Sequence, residues 1–343
     1  MRKGVQRFSW KGFLLFSIFI IVLPFLFSTS FFITKATFAG IYTIVAVGLG
    51  LLMGFAGQIS LGQAAFYGVG AYSTAILTTT YDWNPWISLL VSIAVPGLIA
   101  YILGHTMARL HGYYLAMATL AFGIVIHVLL VEGKGLTKGA SGFFGIPKIE
   151  LFGSTFKQGL SYYFLVWIIA LLVIVIALNI VHSRIGRALR SIHDSEIASS
   201  SMGVDTGKYK MQVFILSAMF AGLAGWLFAH MSFSISPTSF GLNTSILFLT
   251  MVVLGGSTSV WGAVFGALLI NVINIVVHTL GSHFSFITSD TEHVLYGLIL
   301  MLVVIFLPQG LFPALAPIIV KTINRIRRKQ SQQIPQVKGD QHV

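Results

Sequence analysis

Residues 165–181, LVWIIALLVIVIALNIV, are seventeen consecutive positions with a single polar side chain, Asn179, and no charge. A bilayer core of about 30 Å needs roughly 20 residues of helix, because no water is available there to satisfy backbone N–H and C=O groups. The uncharged run that contains the stretch, 158–183, is long enough. A transmembrane β-strand would instead alternate apolar and polar residues over about 10 positions, and this stretch does not alternate. It therefore reads as a membrane-spanning helix.

The rest of the chain repeats the pattern. Of 343 residues 56% are hydrophobic and 9% charged, and the mean hydropathy is +0.89. A soluble domain carries roughly 25% charged residues, so this composition cannot cover a water-facing surface. The charges are bunched, leaving uncharged runs at 12–34, 36–81, 83–108, 110–131, 158–183, 211–289 and 293–320. By length these hold one, two, one, one, one, three and one spans. The expectation is an all-α polytopic transmembrane bundle of about ten spans with interrupted, glycine-rich helices. The alternative is eight spans plus re-entrant segments, because the middle of the 79-residue run, 232–245, is polar and contains Pro237.

Basic residues near the membrane favour the cytoplasmic side. They gather at the N-terminus (Arg2, Lys3, Arg7, Lys11), in 184–210 and after Val320. An even number of spans with both termini cytoplasmic satisfies all three. The outer loop 132–160, with four lysines, runs against the rule. The first apolar stretch is about twice a usual signal core, with no convincing small-residue cleavage site soon after it, and is read as an uncleaved span. No linker divides the chain. The expected organisation is one membrane domain over 1–320 and a basic cytoplasmic tail over 321–343. The net charge of +12 suits flanks held at an anionic membrane surface rather than a nucleic-acid partner.

Gly48 to Tyr72, GLGLLMGFAGQISLGQAAFYGVGAY, places seven glycines with Gln58, Ser60 and Gln63 where two spans must meet. Glycine costs about 1 kcal/mol in a helix interior and buried amides demand partners, so a lipid-facing helix would avoid this composition. Gly50, Gly54 and Gly68 can let backbones approach closely. The segment can also be an interrupted helix beside a translocation path. Further on, Gly222 and Gly225 form a second small-residue seam, and Gly262 and Gly266 a third. GGSTSVWGAVFG (255–266) weakly echoes GFAGQISLGQAAFYG (54–68). Asn271 and Asn274 are one turn apart, placed to bond another helix. His127 reads as a satisfied packing residue, since no carboxylate shares its run.

Ion-coupled carriers place Asp, Glu, Lys or Arg at membrane depth, and the uncharged runs hold none of these. Coupling energy must come from elsewhere. The loop 183–210, SRIGRALRSIHDSEIASSSMGVDTGKYK, is the candidate. Arg187, Arg190 and Asp194 fall on one helical face and Gly203 can end that helix. A solvated amphipathic turn is the plain reading, but eight charges in so apolar a protein favour a docking surface for a soluble partner.

These segments together, with YYLAMATLAFG (113–123) and LTKGASGFFGIP (136–147), resemble the branched-chain amino acid ABC importer permeases, the LivM-type subunit more than its LivH-type partner. The resemblance runs from about Gly40 to Pro308. It implies an ATP-driven importer made of two homologous permeases, two cytoplasmic ATP-binding subunits and an extracytoplasmic substrate-binding protein, in a bacterial inner membrane. It marks Gly186, Arg187, Arg190, Glu196 and Gly203 as a coupling loop that meets the ATPase. Gln63 stands where a histidine is common, and Lys138 where a glycine is common, so urea or short-chain amides remain alternative substrates. Gln58, Ser60 and Thr119, with backbone amides at broken helix ends, are expected to meet a zwitterionic substrate. A stand-alone channel or secondary carrier is the competing class. No GxxxxGK[ST] phosphate loop, metal cluster or nucleophile–base pair occurs. No catalytic residue, metal or cofactor is therefore expected, and the chain is not expected to be an enzyme.

Overall fold

The computed structural model describes residues 10–26, 29–107, 112–151, 154–155 and 159–281, with positions 298, 301 and 310–312. The tail 321–343, Arg109, and all but a few positions of the last apolar run, 293–320, lie outside the described residues. The element order is α1 (Trp10–Leu26), α2 (Ser30–Ala56), α3 (Gln63–Thr79), α4 (Pro85–Met107), α5 (Tyr113–Glu132), α6 (Leu160–His182), α7 (Arg184–Asp194), α8 (Glu196–Ser201), α9 (Thr206–Ser232), α10 (Leu242–Gly255) and α11 (Val260–Gly281). Among the described residues, six helical segments have the length and composition to cross a membrane: Ser30–Ala56, Pro85–Thr106, Tyr113–Glu132, Leu160–His182, Thr206–Ser232 and Pro237–Gly255. Gly12–Leu26 and Val260–Val276 are shorter apolar helical stretches. The chain is a helical membrane bundle.

Burial separates the helices. The most apolar window of α2 is 83% buried and that of α5 only 22%, so α2 is central and α5 presents most of its surface outward. α9 is the other core helix, packed against α2, α3 and α4. Apolar side chains facing out of α1, α4 and α5, such as Phe25, Leu90, Ile102 and Val125, are the natural state of a helix in lipid.

Glycine permits the closest of these approaches. A Cβ added at Gly225 would overlap the Tyr67 carbonyl, and one at Gly222 the Ser92 carbonyl. Backbones meet there with no side chain between them, which is how helices associate when lipid removes the hydrophobic drive. Aromatic polar tips reach across to backbone carbonyls: Tyr162 Oη donates to Leu227 O at 2.6 Å, Tyr163 Oη to Ile20 O at 2.8 Å and Trp167 Nε1 to Ala36 O at 3.1 Å.

Three expectations need correction. Lys35 was expected to separate two spans, but α2 starts at Ser30 and runs through it. Its ammonium donates to Asn274 Oδ1 at 2.9 Å, while Asn271 Nδ2 donates to the Lys35 carbonyl at 2.9 Å. One amide on α11, Asn274, thus takes up the cation, and a second, Asn271, holds the backbone beside it. The bundle is also not purely helical. The long loop carries β1 (Phe143–Phe144) and a hairpin of β2 (Glu150–Leu151) and β3 (Ser154–Thr155). β1 pairs antiparallel with β4 (Ser234–Ile235) just past α9. Finally, 183–203 is two helices, not one. Ser195 caps α8 by accepting from Ala198 N and breaks the helix after Asp194; Gly203, at φ +82°, ends α8.

The strand pairing ties down the long loop. Ile146 N donates to Phe233 O, His230 Nδ1 lies 2.8 Å from Pro147 O, and Trp86 Nε1 donates to Glu150 O. Gly142, at φ +69°, sits so close to Ile235 that a Cβ would overlap its carbonyl. Lys138 adopts φ +59°, the backbone a glycine would take most easily, and its ammonium sits 4.8 Å over the Phe143 ring.

Candidate functional site

α2 stops at Gly57, which has a left-handed φ of +67°, and the chain runs without helix through 57–62 before α3 begins at Gln63. The depth of that restart follows from Ser217 on α9. Gln63 Nε2 donates to both Ser217 O and Ser217 Oγ at 3.0 Å, and Ser217 also lies against Gly48. Gly48 is eight residues before the end of α2, about 12 Å back along its axis at 1.5 Å per residue. α3 therefore starts well inside the bundle, and 57–62 climbs from the α7 end to reach it. A helix start inside the membrane leaves N–H groups without intrahelical partners. Two of the N–H groups here find hydroxyls: Leu61 N donates to Thr119 Oγ1 and Ala64 N to Ser245 Oγ, each at 3.1 Å.

A second break stands beside the first. α10 ends at Gly255, Gly256 has φ +107°, and α11 begins at Val260. A Cβ at Gly54 would overlap the Ser257 carbonyl, one at Gly50 would lie 3.1 Å from Ala263 Cβ, and one at Gly266 would overlap the Met251 carbonyl. Gly262 packs on Gly256, and Gly310 closes on Gly256 from another side. The two segments that echo each other in sequence thus take the same helix–break–helix path and touch through bare backbone. Gly68 is different in kind: its missing side chain makes room for the Phe240 ring, 2.9 Å from an added Cβ.

The four polar residues expected to line a path divide into two pairs. Gln63 and Thr119 are engaged: Gln63 is held by Ser217, and Thr119 accepts from Leu61 N while donating to Ala116 O at 3.0 Å. These bonds position the break. Gln58 and Ser60 are buried, and among the described residues Gln58 Oε1 and Ser60 Oγ have no hydrogen-bond partner. An unsatisfied buried polar atom costs about 1–3 kcal/mol, so two of them two residues apart in a helix-free stretch mark a place where polarity is wanted for something other than stability.

Two cavities flank the break. The larger, about 430 Å³, lies between 57–62, α5 and the start of α10, and is lined by Leu61, Ala65, His127, Phe240, Asn243 and Ser245 among others. His127 Nδ1 is buried there with no partner among the described residues, so it is not the satisfied packing residue that the sequence suggested. Asn243 and Ser245 carried no signal in the sequence beyond lying in a polar interruption. The second cavity, about 250 Å³, lies at the α7 end between the first break and the α7–α8 elbow, with Gln58, His193, Asp194, Glu196 and Lys210 in its wall.

The elbow itself is built from charge and backbone. A Cβ at Gly186 would overlap the Val181 carbonyl, so α7 folds back tightly on α6. Arg190 locks that fold: Nε donates to Gly186 O at 3.1 Å and Nη2 to Val181 O at 2.7 Å. It does not share the outward face expected for it with Arg187, which is exposed along with Asp194. Lys210, 7% exposed, pairs with Glu196. His193 packs against Gly57, with Nδ1 3.1 Å from the position of an added Cβ. The α7–α8 elbow and the helix break are therefore in direct contact.

Broken helices that meet through bare backbone inside a lipid-facing bundle, with orphan polar groups at the break and a charged elbow pressed on it, define a membrane permease. Comparison with known proteins gives the particular family. Residues 31–304 match the family described as branched-chain amino acid transport system / permease component. The chain is 32% identical over 305 residues to the high-affinity branched-chain amino acid transport system permease protein LivM of Escherichia coli strain K12, covering 82% of this chain and 70% of that one. The LivM protein of Salmonella typhimurium strain LT2 is 33% identical over the same shares. The LivH protein of Escherichia coli strain K12 is 24% identical over 80% of this chain and 92% of its own. No solved structure matches. The chain belongs to the branched-chain amino acid transport permease family.

Proposed function

We propose that this chain is the LivM-type permease subunit of an ATP-driven importer for branched-chain amino acids. It works beside a LivH-type permease, with two ATP-binding subunits at the α7–α8 face and an external binding protein at the long-loop face. Both termini are cytoplasmic. The helices α1–α6 and α9–α11 with the run 293–320 make ten spans, and the tail 321–343 follows on the cytoplasmic side. The observation that carries the reading is the contact of the elbow, through His193, with a helix break that holds two unpartnered polar groups. A push on α7 is transmitted to the residues that meet the substrate.

Gln58 Oε1 and Ser60 Oγ are the polar groups offered to the zwitterion, while Gln63 and Thr119 hold the segment that carries them. Gly186 and Arg190 fix the elbow, and Arg187, Asp194, Glu196 and Gly203 shape the ATPase-facing surface. ATP binding closes the paired ATPases, the elbow moves, and the permease pair opens outward. The test is uptake of labelled leucine by cells that carry the complete transporter, with ATP depleted while the membrane potential is held. Uptake must stop. Uptake that persists without ATP sinks the reading in favour of a channel or secondary carrier. Competition by urea or acetamide stronger than by isoleucine moves the substrate to the amide class.

A further inference from the structure

Asp, Glu, Lys and Arg occur in the six spans as Lys35, Glu132, Lys208 and Lys210. Glu132 is the last residue of α5, and Lys208 and Lys210 open α9 at the elbow. Lys35 stands at the opposite end of the bundle, since α2 begins at Ser30 and meets the elbow at Gly57. Ala56 is 21 residues beyond Lys35, about 32 Å along a helix at 1.5 Å per residue, which matches a hydrocarbon core of about 30 Å. With the charged elbow marking one edge of that core, Lys35 lies at the other, level with the lipid headgroups. A charge within a membrane span is costly and points to a partner.

The partner that fits is an anion. An ammonium has three N–H groups; one of those on Lys35 goes to Asn274 Oδ1, and the charge sits 5.6 Å from the centre of the Phe31 ring. Neither neighbour is a carboxylate, and Lys35 forms no ion pair among the described residues. Beside it is a cavity of about 160 Å³ whose polar wall is Lys35, Asn271 and Asn274 with Tyr42, and whose apolar wall is Phe38, Leu247 and Ile270. Asn271, 6% exposed, bonds the Lys35 carbonyl and so fixes the backbone that carries the cation. No acid stands in this wall. A negative ligand meets one positive charge, two amides and no like charge.

We propose that this cavity holds the phosphate of an anionic phospholipid from the leaflet opposite the elbow. The apolar wall covers the glycerol and first methylenes, which a free inorganic anion does not have. The walls belong to α2, α10 and α11, the helices that meet at the second break. A bound lipid ties α10 and α11 to α2 and stabilises the bundle by mass action. The site serves any cargo, so it stands whether or not leucine is transported.

The test uses the full-length chain, purified in neutral detergent with the subunits that accompany it and stripped of lipid. Its melting temperature is followed against added dioleoylphosphatidylglycerol, dioleoylphosphatidylcholine and inorganic phosphate, and native mass spectrometry counts the lipid retained. Phosphatidylglycerol is expected to raise the melting temperature, phosphatidylcholine to need about tenfold more because its choline already answers the phosphate, and inorganic phosphate to have no effect. Lys35→Met should raise the phosphatidylglycerol concentration needed by about tenfold, the value of a charge-assisted hydrogen bond, and Lys35→Arg should keep the response. Lys134→Gln removes an equal charge from an exposed position in the long loop and should leave the response unchanged. Melting of each variant without lipid separates lost binding from lost folding. A Lys35→Met protein that responds as the parent does, or a Lys134→Gln protein that loses as much as Lys35→Met, overturns the site. Inorganic phosphate acting as well as the lipid overturns the lipid as its occupant. Asp290 and Glu292, outside the described residues, are the acids nearest to α11 in sequence. If Asp290→Asn combined with Glu292→Gln creates a lipid response that the parent lacks, Lys35 belongs to those acids and the proposal fails.

Discussion

Replacing Gly54 by alanine tests the packing of the two breaks most directly. The added methyl would fall on the carbonyl of Ser257, and the carbonyl carbon and Cα of Ser257 lie immediately behind it. Because these are backbone atoms, no rotamer change relieves the overlap; α2 and the 256–259 turn must separate. Overpacking in a well-packed core typically costs 1–3 kcal/mol, and backbone against backbone belongs at the upper end, about 3 kcal/mol. Alanine would recover at most ~1 kcal/mol through its better helix propensity, so the overlap wins. Two other glycines give a scale. At Gly40 the nearest atom is a Val166 methyl, 2.8 Å from the added carbon, and at Gly123 the nearest is Gly62 Cα at 3.6 Å, an ordinary contact. Val166 can shift, so Gly40→Ala is expected to cost about 1 kcal/mol, and Gly123→Ala to be neutral or slightly stabilising. The assay is the temperature at which each detergent-solubilised variant loses its monodisperse peak. The expected order of stability is Gly123→Ala, then Gly40→Ala, then Gly54→Ala. A Gly54→Ala protein as stable as the parent would refute the reasoning, since the two breaks could not then be in backbone contact.

Other outcomes follow from the same geometry. Gln58→Leu combined with Ser60→Ala removes two atoms that have no partner, so thermal stability should hold or rise while leucine uptake falls; uptake at the parental rate would show that these groups do not meet the substrate. Arg190→Ala, which breaks one charge-assisted bond within α7 and one across the α6–α7 corner to Val181, should cost about 1.5–3 kcal/mol. Arg187→Glu, on the exposed face, should leave stability within ~0.5 kcal/mol yet uncouple ATP hydrolysis from uptake. Comparing melting with coupled uptake for the two variants decides this, and equal destabilisation would contradict the placement of Arg190. Gly142→Ala forces a side chain at φ +69° against Ile235 and should release β1 from β4. Limited proteolysis of 133–159 in intact vesicles should then speed up, and unchanged cutting would place the rigidity of the loop elsewhere.

The helical membrane bundle was legible in the sequence because lipid enforces a rule on composition: long uncharged runs have few other uses. The place of the breaks was legible for a related reason, as seven glycines in 48–70 are too many for a continuous lipid-facing helix. What composition cannot reveal is which polar group already has a partner. Gln58, Ser60, Gln63 and Thr119 look alike in the sequence. Gln63 is satisfied by Ser217, 154 positions away, and Thr119 binds Leu61, 58 positions away. Lys35 misled for the same reason, because its partners Asn271 and Asn274 lie on α11. His127 erred in the opposite direction, since a lone histidine in an apolar run gives no hint that it borders a cavity. The Arg187 and Arg190 spacing pointed to a helix over α7 but could not show that α7 folds back on α6 and turns one of the two arginines inward.

The segment 57–62 and the start of α3 are gripped by three helices through one residue each: Thr119 from α5, Ser217 from α9 and Ser245 from α10. Such bonds tolerate only a few tenths of an ångström of stretch before they fail. The short stretch from Leu61 to Ala64 is therefore a common knot. If α5, α9 or α10 slides relative to the others, it must either carry the knot with it or let go at a single identifiable residue. The helical ladder has already been interrupted there, so letting go costs one bond at α5 or α10, or the two bonds to Ser217 at α9, rather than a turn of helix. Shear between these helices is therefore met beside Gln58 and Ser60, two of the polar groups without a partner among the described residues.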